Sequence, residues 1–265
     1  MGVNMEKMDL KHLRAQFDDY RTKYGHIKMR REEGILEVAF HTQGGPLRWG
    51  FDPHAEIEDA FLNIARDREN KIVIVTGTGS EFSGPTAVPA IHRRHHRMTP
   101  DEWGEQGWES VNFLMNMLAI DVPMISAVNG PAVRHAELPI MCDIVLAAEE
   151  ATFQDSGHYA GGLVPGDGVH VAFQLAMGYN RARYFLLTGQ ILNAVEAKEA
   201  GLVNEILPRE KLLPRAWELA RQLARQPELN RRYARVLLTE LLRRQMRDLL
   251  PYGLALEGLA LVGAG

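Results

Sequence analysis

The chain has 265 residues, 46% hydrophobic and 24% charged, an ordinary globular balance whose length suits one large domain or one domain with an appendage. A formal net charge of −4 argues against a protein devoted to nucleic acid or an anionic membrane surface. No apolar stretch approaches the roughly 20 residues that span a bilayer, and the polar segment Met1 to Tyr24 lacks the apolar region of a signal peptide, so a cytoplasmic protein is expected.

Lys7 to Tyr24 is charged with apolar residues at helical spacing and predicts a surface helix. His26 to Arg31 and Gly34 to Phe40 read as a hairpin around Arg31-Glu-Glu-Gly34, leading into the loop His41 to Gly50. Ala55 to Asp67 is an amphipathic helix, and Lys71-Ile-Val-Ile-Val-Thr76 is the continuous β-branched run of a strand covered on both faces. A helix over Asp101 to Ala119 follows, then strands at Pro123 to Gly130, Ile144 to Ala147 and Ala151 to Gln154. Beyond Gly168 the pattern is helical at Val169 to Met177, Arg181 to Leu187 and Ala194 to Ala200, with a short strand at Val203 to Leu207. Two long helices, Leu212 to Gln226 and Leu229 to Leu250, open near Pro208 and Pro227, prolines that suit helix starts. Alternating strands and helices followed by helices alone describe an α/β core, residues 1–206, and a helical C-terminal region, 207–265.

Several signatures are missing. Gly77-Thr-Gly-Ser-Glu-Phe82 has Phe82 where a dinucleotide fingerprint needs its third glycine and lacks the Gly-Lys-Ser/Thr of a phosphate loop. There is no Gly-x-Ser-x-Gly elbow and no His-Glu-x-x-His. The single Cys142 excludes an intrachain disulfide and any multi-cysteine metal site, and its apolar surroundings read as a buried structural thiol. The His92 to Arg97 run has no neighbouring carboxylate to complete a metal site; it reads as a solvated loop, with anion binding as the alternative. On the last long helix, Arg231 with Arg235 and Arg243 with Arg247 share faces at i,i+4 spacing, which reads as a solvated face or a subunit contact. No cofactor or metal site is expected.

Chemistry is best placed in Ala151 to Gly168, where His158 and Asp167 stand nine residues apart on glycine-punctuated backbone. A histidine that meets a carboxylate across a loop can act as an oriented general base. Gly161, Gly162, Gly166 and Gly168 leave room for the fold-back that the contact requires. Taken singly, His158 could be a loop histidine and Asp167 a turn residue.

Val73-Ile-Val-Thr-Gly77, Phe82-Ser-Gly84, Val128-Asn-Gly130, Glu137 to Ile144, Val164-Pro-Gly166, Leu187-Thr-Gly189 and Ala200-Gly-Leu-Val-Asn204 occur in the order seen in the crotonase (enoyl-CoA hydratase/isomerase) superfamily, which the chain resembles from about residue 26 to 250. The resemblance implies a right-handed spiral of ββα turns with a helical C-terminal trimerisation region, in homotrimers or dimers of trimers. Departures from the acyl-CoA pattern are equally informative. The glycine run that supplies one backbone oxyanion donor is replaced by Pro131-Ala-Val-Arg-His-Ala136, and the first loop reads Ser83-Gly-Pro-Thr86. Glu137 matches one hydratase glutamate, but His158 falls at the other. These changes, with Ala151-Thr-Phe-Gln-Asp155, Val164-Pro-Gly-Asp-Gly168, Arg183 to Gln190 and Leu212 to Arg221, are similar to the β-diketone hydrolase branch typified by 6-oxocamphor hydrolase.

That resemblance implies a retro-Claisen hydrolase that opens cyclic 1,3-diketones, bicyclic ones included, to keto acids without a cofactor. It assigns water activation to His158 and Asp167, carbonyl donation to His135, a C-terminal carboxylate to Glu257, and substrate contacts to Trp49 and Phe82. Glu257 could instead be a solvated helix carboxylate, and Glu137 could cap a turn. Two other functions stay open: an acyl-CoA hydratase or isomerase using Glu137, and a non-catalytic oligomeric or RNA-binding relative.

Overall fold

The centre of the fold follows from aliphatic runs whose alternate side chains both find cover. The computed structural model describes residues 14–86 and 98–263. A short helix α1 (Phe17–Tyr20) precedes the hairpin of β1 (Ile27–Glu32) and β2 (Ile35–Phe40). Helix α2 (Phe51–Arg66) leads to β3 (Ile72–Gly77), and α3 (Pro100–Ala119) to β4 (Met124–Val128). A single turn α4 (Glu137–Ile140) precedes β5 (Ile144–Ala148) and β6 (Thr152–Phe153). Then come α5 (Val169–Met177), α6 (Tyr179–Thr188), β7 (Leu192–Asn193), α7 (Ala194–Glu199) and β8 (Glu205–Leu207). Helices α8 (Arg209–Ala224), α9 (Glu228–Leu238) and α10 (Glu240–Gly263) complete the chain.

The main sheet has the order β1-β2-β3-β4-β5-β8. Only β1 and β2 are antiparallel; every later pair is parallel, as strands joined through helices must be. Successive side chains point to opposite faces. Val73 and Val75 thus enter the larger core with Phe61, Phe113 and Leu114, while Ile72 and Ile74 join Leu212, Ala216 and Trp217 of α8 on the other face. The α8 contact is fixed by a 2.6 Å hydrogen bond from the Trp217 indole to Glu37 on β2. Helix α3 begins with a capping box, Thr99 and Glu102 satisfying each other's backbone N–H. This is the α/β core with a helical C-terminal region that the sequence predicts. Among the described residues, no helix is long and apolar enough to cross a membrane.

Five expectations need correction or limits. The described part of the N-terminal helix is only Phe17–Tyr20, and the His92 to Arg97 run lies outside the described residues. The Ala151 to Gln154 strand is shortened to β6, which pairs antiparallel with β7 in a separate two-stranded sheet. The predicted helix Leu229 to Leu250 is two: it breaks at Thr239, whose hydroxyl donates to the Arg235 carbonyl, and α10 then continues through Pro251. Burial of Met246, Leu250 and Leu254 outweighs the roughly 3 kcal/mol that an interior proline costs.

The arginine face of α9 is the fifth. Arg231, Arg232 and Arg235 are 8%, 2% and 1% exposed, whereas Leu237 and Leu238 are 76% and 78% exposed. Arg235 donates to the Ile120 carbonyl at 2.7 Å and pairs with Asp143, and Arg232 pairs with Asp121 and donates to the Arg68 carbonyl at 2.8 Å. Planar, multiply donating guanidinium groups satisfy carbonyls and carboxylates of the loops that enter β3, β4 and β5.

Candidate active site

The loops leaving the strands are tied edge to edge, which gathers residues far apart in sequence. After β2, Trp49 N–H donates to the Gly84 carbonyl at 3.0 Å. After β3, Phe82 N–H donates to Pro131 and Ser83 accepts from Val133. After β4, Ala132 exchanges hydrogen bonds with Thr152 and Gln154, and Ser156 N–H reaches Val133. Isolated bridges Arg48↔Gly84, Ser83↔Ala132 and Ala132↔Phe153 mark this second layer. Its last two segments deliver His135 and His158 to one place.

His135 sits at φ +47°, a left-handed conformation in which a non-glycine residue costs on the order of 1 kcal/mol. The position is held from both sides. Its Nδ1 lies 2.7 Å from Glu137 Oε1, and its ring stacks on Trp49 with centroids 4.2 Å apart and planes tilted by 32°. Glu137 is fully buried, so its carboxylate orients His135 and does more than cap a turn. His158 Nδ1 lies 2.7 Å from Asp155 Oδ1, and its Nε2 3.1 Å from Asp167 Oδ2. The same Asp167 oxygen is 3.6 Å from His135 Nδ1. Asp167 therefore bridges two histidines, each anchored by a carboxylate of its own.

Asp167 reaches this position because the glycine turn before α5 is pressed under α10. A Cβ on Gly166 would lie 2.2 Å from the Gly253 carbonyl oxygen and 2.9 Å from the Glu257 Cβ. Only glycine permits that crossing. It also brings Glu257, 6% exposed, onto the strand of chain that carries Asp167. Trp49, His135, His158, Asp167 and Glu257 are thus brought to one region. Phe82 is corrected: it has no accessible surface and packs edge-on to Phe40 at 6.1 Å, anchoring its loop as core.

Burial shapes the electrostatics, and the carboxylates reverse its effect on both histidines. Desolvation alone lowers the His158 imidazole, but Asp167 and Asp155 outweigh it and hold the ring well above its ordinary value. His135 is likewise raised, by Glu137 and Asp167 against burial. Burial pushes the Asp167 carboxyl up, yet His158, then His135, carry it below the usual carboxylate range. Burial lifts Glu137 even though His135 opposes it across their short contact. His135, Glu137 and Asp167 also place one nitrogen and two oxygens within 4.8 Å of one another, a set that could ligate a cation only by breaking the His135–Glu137 hydrogen bond.

Sequence reasoning passed over three participants. Asp155 stands three residues before His158, a spacing that was visible. His54, 6% exposed, stacks on Phe113 with centroids 4.4 Å apart, lies 5.4 Å from the His135 ring and bonds Glu109 at 3.0 Å. Burial lowers its imidazole. Nothing local in α2 signals that role, since the partners are 55 and more residues away.

The profile of the family described as enoyl-CoA hydratase/isomerase matches residues 52–260. The chain is 45% identical to a β-diketone hydrolase from the cyanobacterium Anabaena sp. PCC 7120, solved with bound (S)-3-oxocyclohexyl acetic acid; the match covers 93% of this chain and 98% of that one, with a TM-score of 0.86. It is 28% identical to a crotonyl-CoA hydratase of Syntrophomonas wolfei over 82% of each chain. It is 31% identical to a probable mitochondrial enoyl-CoA hydratase of Dictyostelium discoideum, over 66% of this chain and 61% of that protein. A profile spanning most of the chain, on a fold of parallel strands, sideways-tied loops and C-terminal helices, makes this protein a member of the enoyl-CoA hydratase/isomerase family, the crotonase superfamily.

Proposed function

We propose that the protein hydrolyses a carbon–carbon bond of cyclic 1,3-diketones, bicyclic ones included, by a retro-Claisen reaction. The observation that carries this reading is His158 Nε2 at 3.1 Å from Asp167 beside the Glu137–His135 pair, side-chain acid–base groups standing where the sequence lacks the backbone glycine run. The neighbouring hydrolase was solved with a cyclic keto acid, the class of product this reaction gives.

Water loses a proton to the His158–Asp167 pair as its oxygen bonds to one ketone carbon. Protonated His135, held by Glu137, donates to that carbonyl oxygen, and the Trp49 indole N–H supplements it. When the tetrahedral adduct collapses, the C–C bond breaks and its electron pair enters the second carbonyl as an enolate. The proton taken from water, returned through the site or by way of Glu257, reaches the α-carbon. The second carbonyl is the electron sink, so the scheme calls for no cofactor. Exposed Leu237, Leu238 and Leu241 support self-association through the C-terminal helices, as a homotrimer or dimer of trimers.

The test is a panel of monocyclic and bicyclic 1,3-diketones, followed by loss of the enol chromophore and appearance of acid, beside an acyl-CoA panel. Diketone turnover that His158→Ala or Asp167→Asn reduces by orders of magnitude is expected. Acyl-CoA hydration without diketone turnover would refute the proposal, and near-wild-type turnover in either variant would refute its mechanism.

A further inference from the structure

The reading above gives His158 a carboxylate partner, but the structure gives it two, on opposite nitrogens. Asp167 lies on Nε2 and touches a second histidine. Asp155 lies on Nδ1 at 2.7 Å and is 4% exposed. Backbone hydrogen bonds hold Asp155 on both sides, Gln154 N–H to Ala132 and Ser156 N–H to Val133, with the Ser156 hydroxyl also on the Val133 carbonyl at 2.6 Å. This carboxylate cannot follow a moving proton; it is built into the second layer.

We propose that Asp155 is a positioning residue that locks His158 as the Nδ1–H tautomer, leaving Nε2, beside Asp167, as the nitrogen that exchanges protons with water. The proposal rests on the function above, because it matters to catalysis only if His158 is the base. A neutral imidazole carries one N–H. A carboxylate 2.7 Å from Nδ1 accepts that N–H and would repel a bare lone pair there, so the remaining lone pair appears on Nε2. Asp167 is left to hold and release the mobile Nε2 proton, one role per carboxylate.

The charged surroundings act on both ends. Asp167 and Asp155 face His158 directly, and His135 and His170 act on it from α4's approach and from α5. Arg134 faces Asp155 from the segment before His135, and its guanidinium comes close to Gly157. His54 and Glu137 act through Asp167. Of these groups, only Asp155 contacts Nδ1, so its removal has a signature that general loosening of the site does not share.

The experiment compares wild type with Asp155→Asn and Asp155→Glu. In Asp155→Asn, kcat on a diketone should fall by about 10²- to 10⁴-fold, the upper end being the scale of a base held in the wrong tautomer, with KM little changed. The acid limb of its kcat profile should move to lower pH, since one of the two charges favouring imidazolium is gone. Asp155→Glu should restore part of both. A purely structural role predicts lower activity with an unmoved limb, and that result would overturn the proposal. Independently of turnover, ¹⁵N NMR of the wild-type enzyme should show neutral His158 with its proton on Nδ1. A proton on Nε2 overturns the inference even if Asp155→Asn fails to fold. Absence of diketone turnover with the Nδ1–H tautomer present would instead refute the function and leave the positioning role standing.

Discussion

Replacing Gly253 by alanine tests whether α10 positions the site. A Cβ there would stand 2.4 Å from the Gly166 carbonyl oxygen and 2.5 Å from His170 Cε1, against ordinary contacts that begin near 3.4 Å. Backbone cannot swing aside as a side-chain tip can, so α10 and the Asp167 turn must separate by about 1 Å, the shortfall against an ordinary contact. Overpacking of this size costs about 1–3 kcal/mol, and alanine returns about 1 kcal/mol of helix propensity over glycine. The net loss, about 0–2 kcal/mol, leaves the protein folded. Catalysis has less tolerance: Asp167 adjoins Gly166 and Glu257 lies one turn beyond Gly253, and a 1 Å misplacement costs on the order of 10²-fold. Diketone turnover measured beside a urea titration separates the two effects. A wild-type kcat in a folded Gly253→Ala variant refutes the claim that this crossing sets the geometry.

Glu137→Gln should lower kcat and move the alkaline limb of its pH profile downward, because His135 loses the carboxylate that helps keep it protonated; an unmoved limb removes Glu137 from that role. Stability should decline as pH rises above 6.5, since folded His158 retains a proton that the unfolded chain has released and unfolding then sheds it. Urea midpoints across that range, in wild type and Asp167→Asn, test this: the variant's curve should be flatter, and an equal slope in both contradicts the assignment. Arg235→Ala removes a buried partner of Asp143 and of the Ile120 carbonyl, with an expected loss of about 3–5 kcal/mol; a loss under about 1 kcal/mol in a denaturant titration refutes it. Cys142 is 8% exposed with its thiol pushed up to about 12 by burial, so a disulfide reagent should modify it only after denaturation, and prompt labelling of the native protein contradicts this.

What the sequence disclosed depended on the range of the signal. Lys71 to Thr76 and Pro123 to Gly130 announced buried parallel strands because a doubly covered strand needs apolar residues on both faces, and that demand is local. His158 and Asp167 were findable because one glycine-rich loop carries both. Asp155 shared that loop and signalled equally well by its spacing, but a motif with one obvious acid drew attention from the second. His54 and Glu109 were not legible at all, since their mutual bond and the approach of His54 to His135 exist only after α2 and α3 pack. The boundary of α10 failed for a related reason: Pro251 is a local stop signal, overruled by the burial of Met246, Leu250 and Leu254. Phe82 was misplaced because an aromatic beside a pocket and an aromatic beneath it look alike in sequence.

The inverted face of α9 bears on how the surface meets polyanions. A count of the sequence gives this helix three arginines, and a phosphate backbone gains affinity by releasing one counterion for each cation that replaces it. None of the three is available for that exchange, because all are turned inward onto carboxylates and carbonyls, and the outward positions are Leu229, Tyr233, Leu237 and Leu238 with Glu228. To an approaching nucleic acid, the helix written with three positive charges offers hydrocarbon and a single negative one.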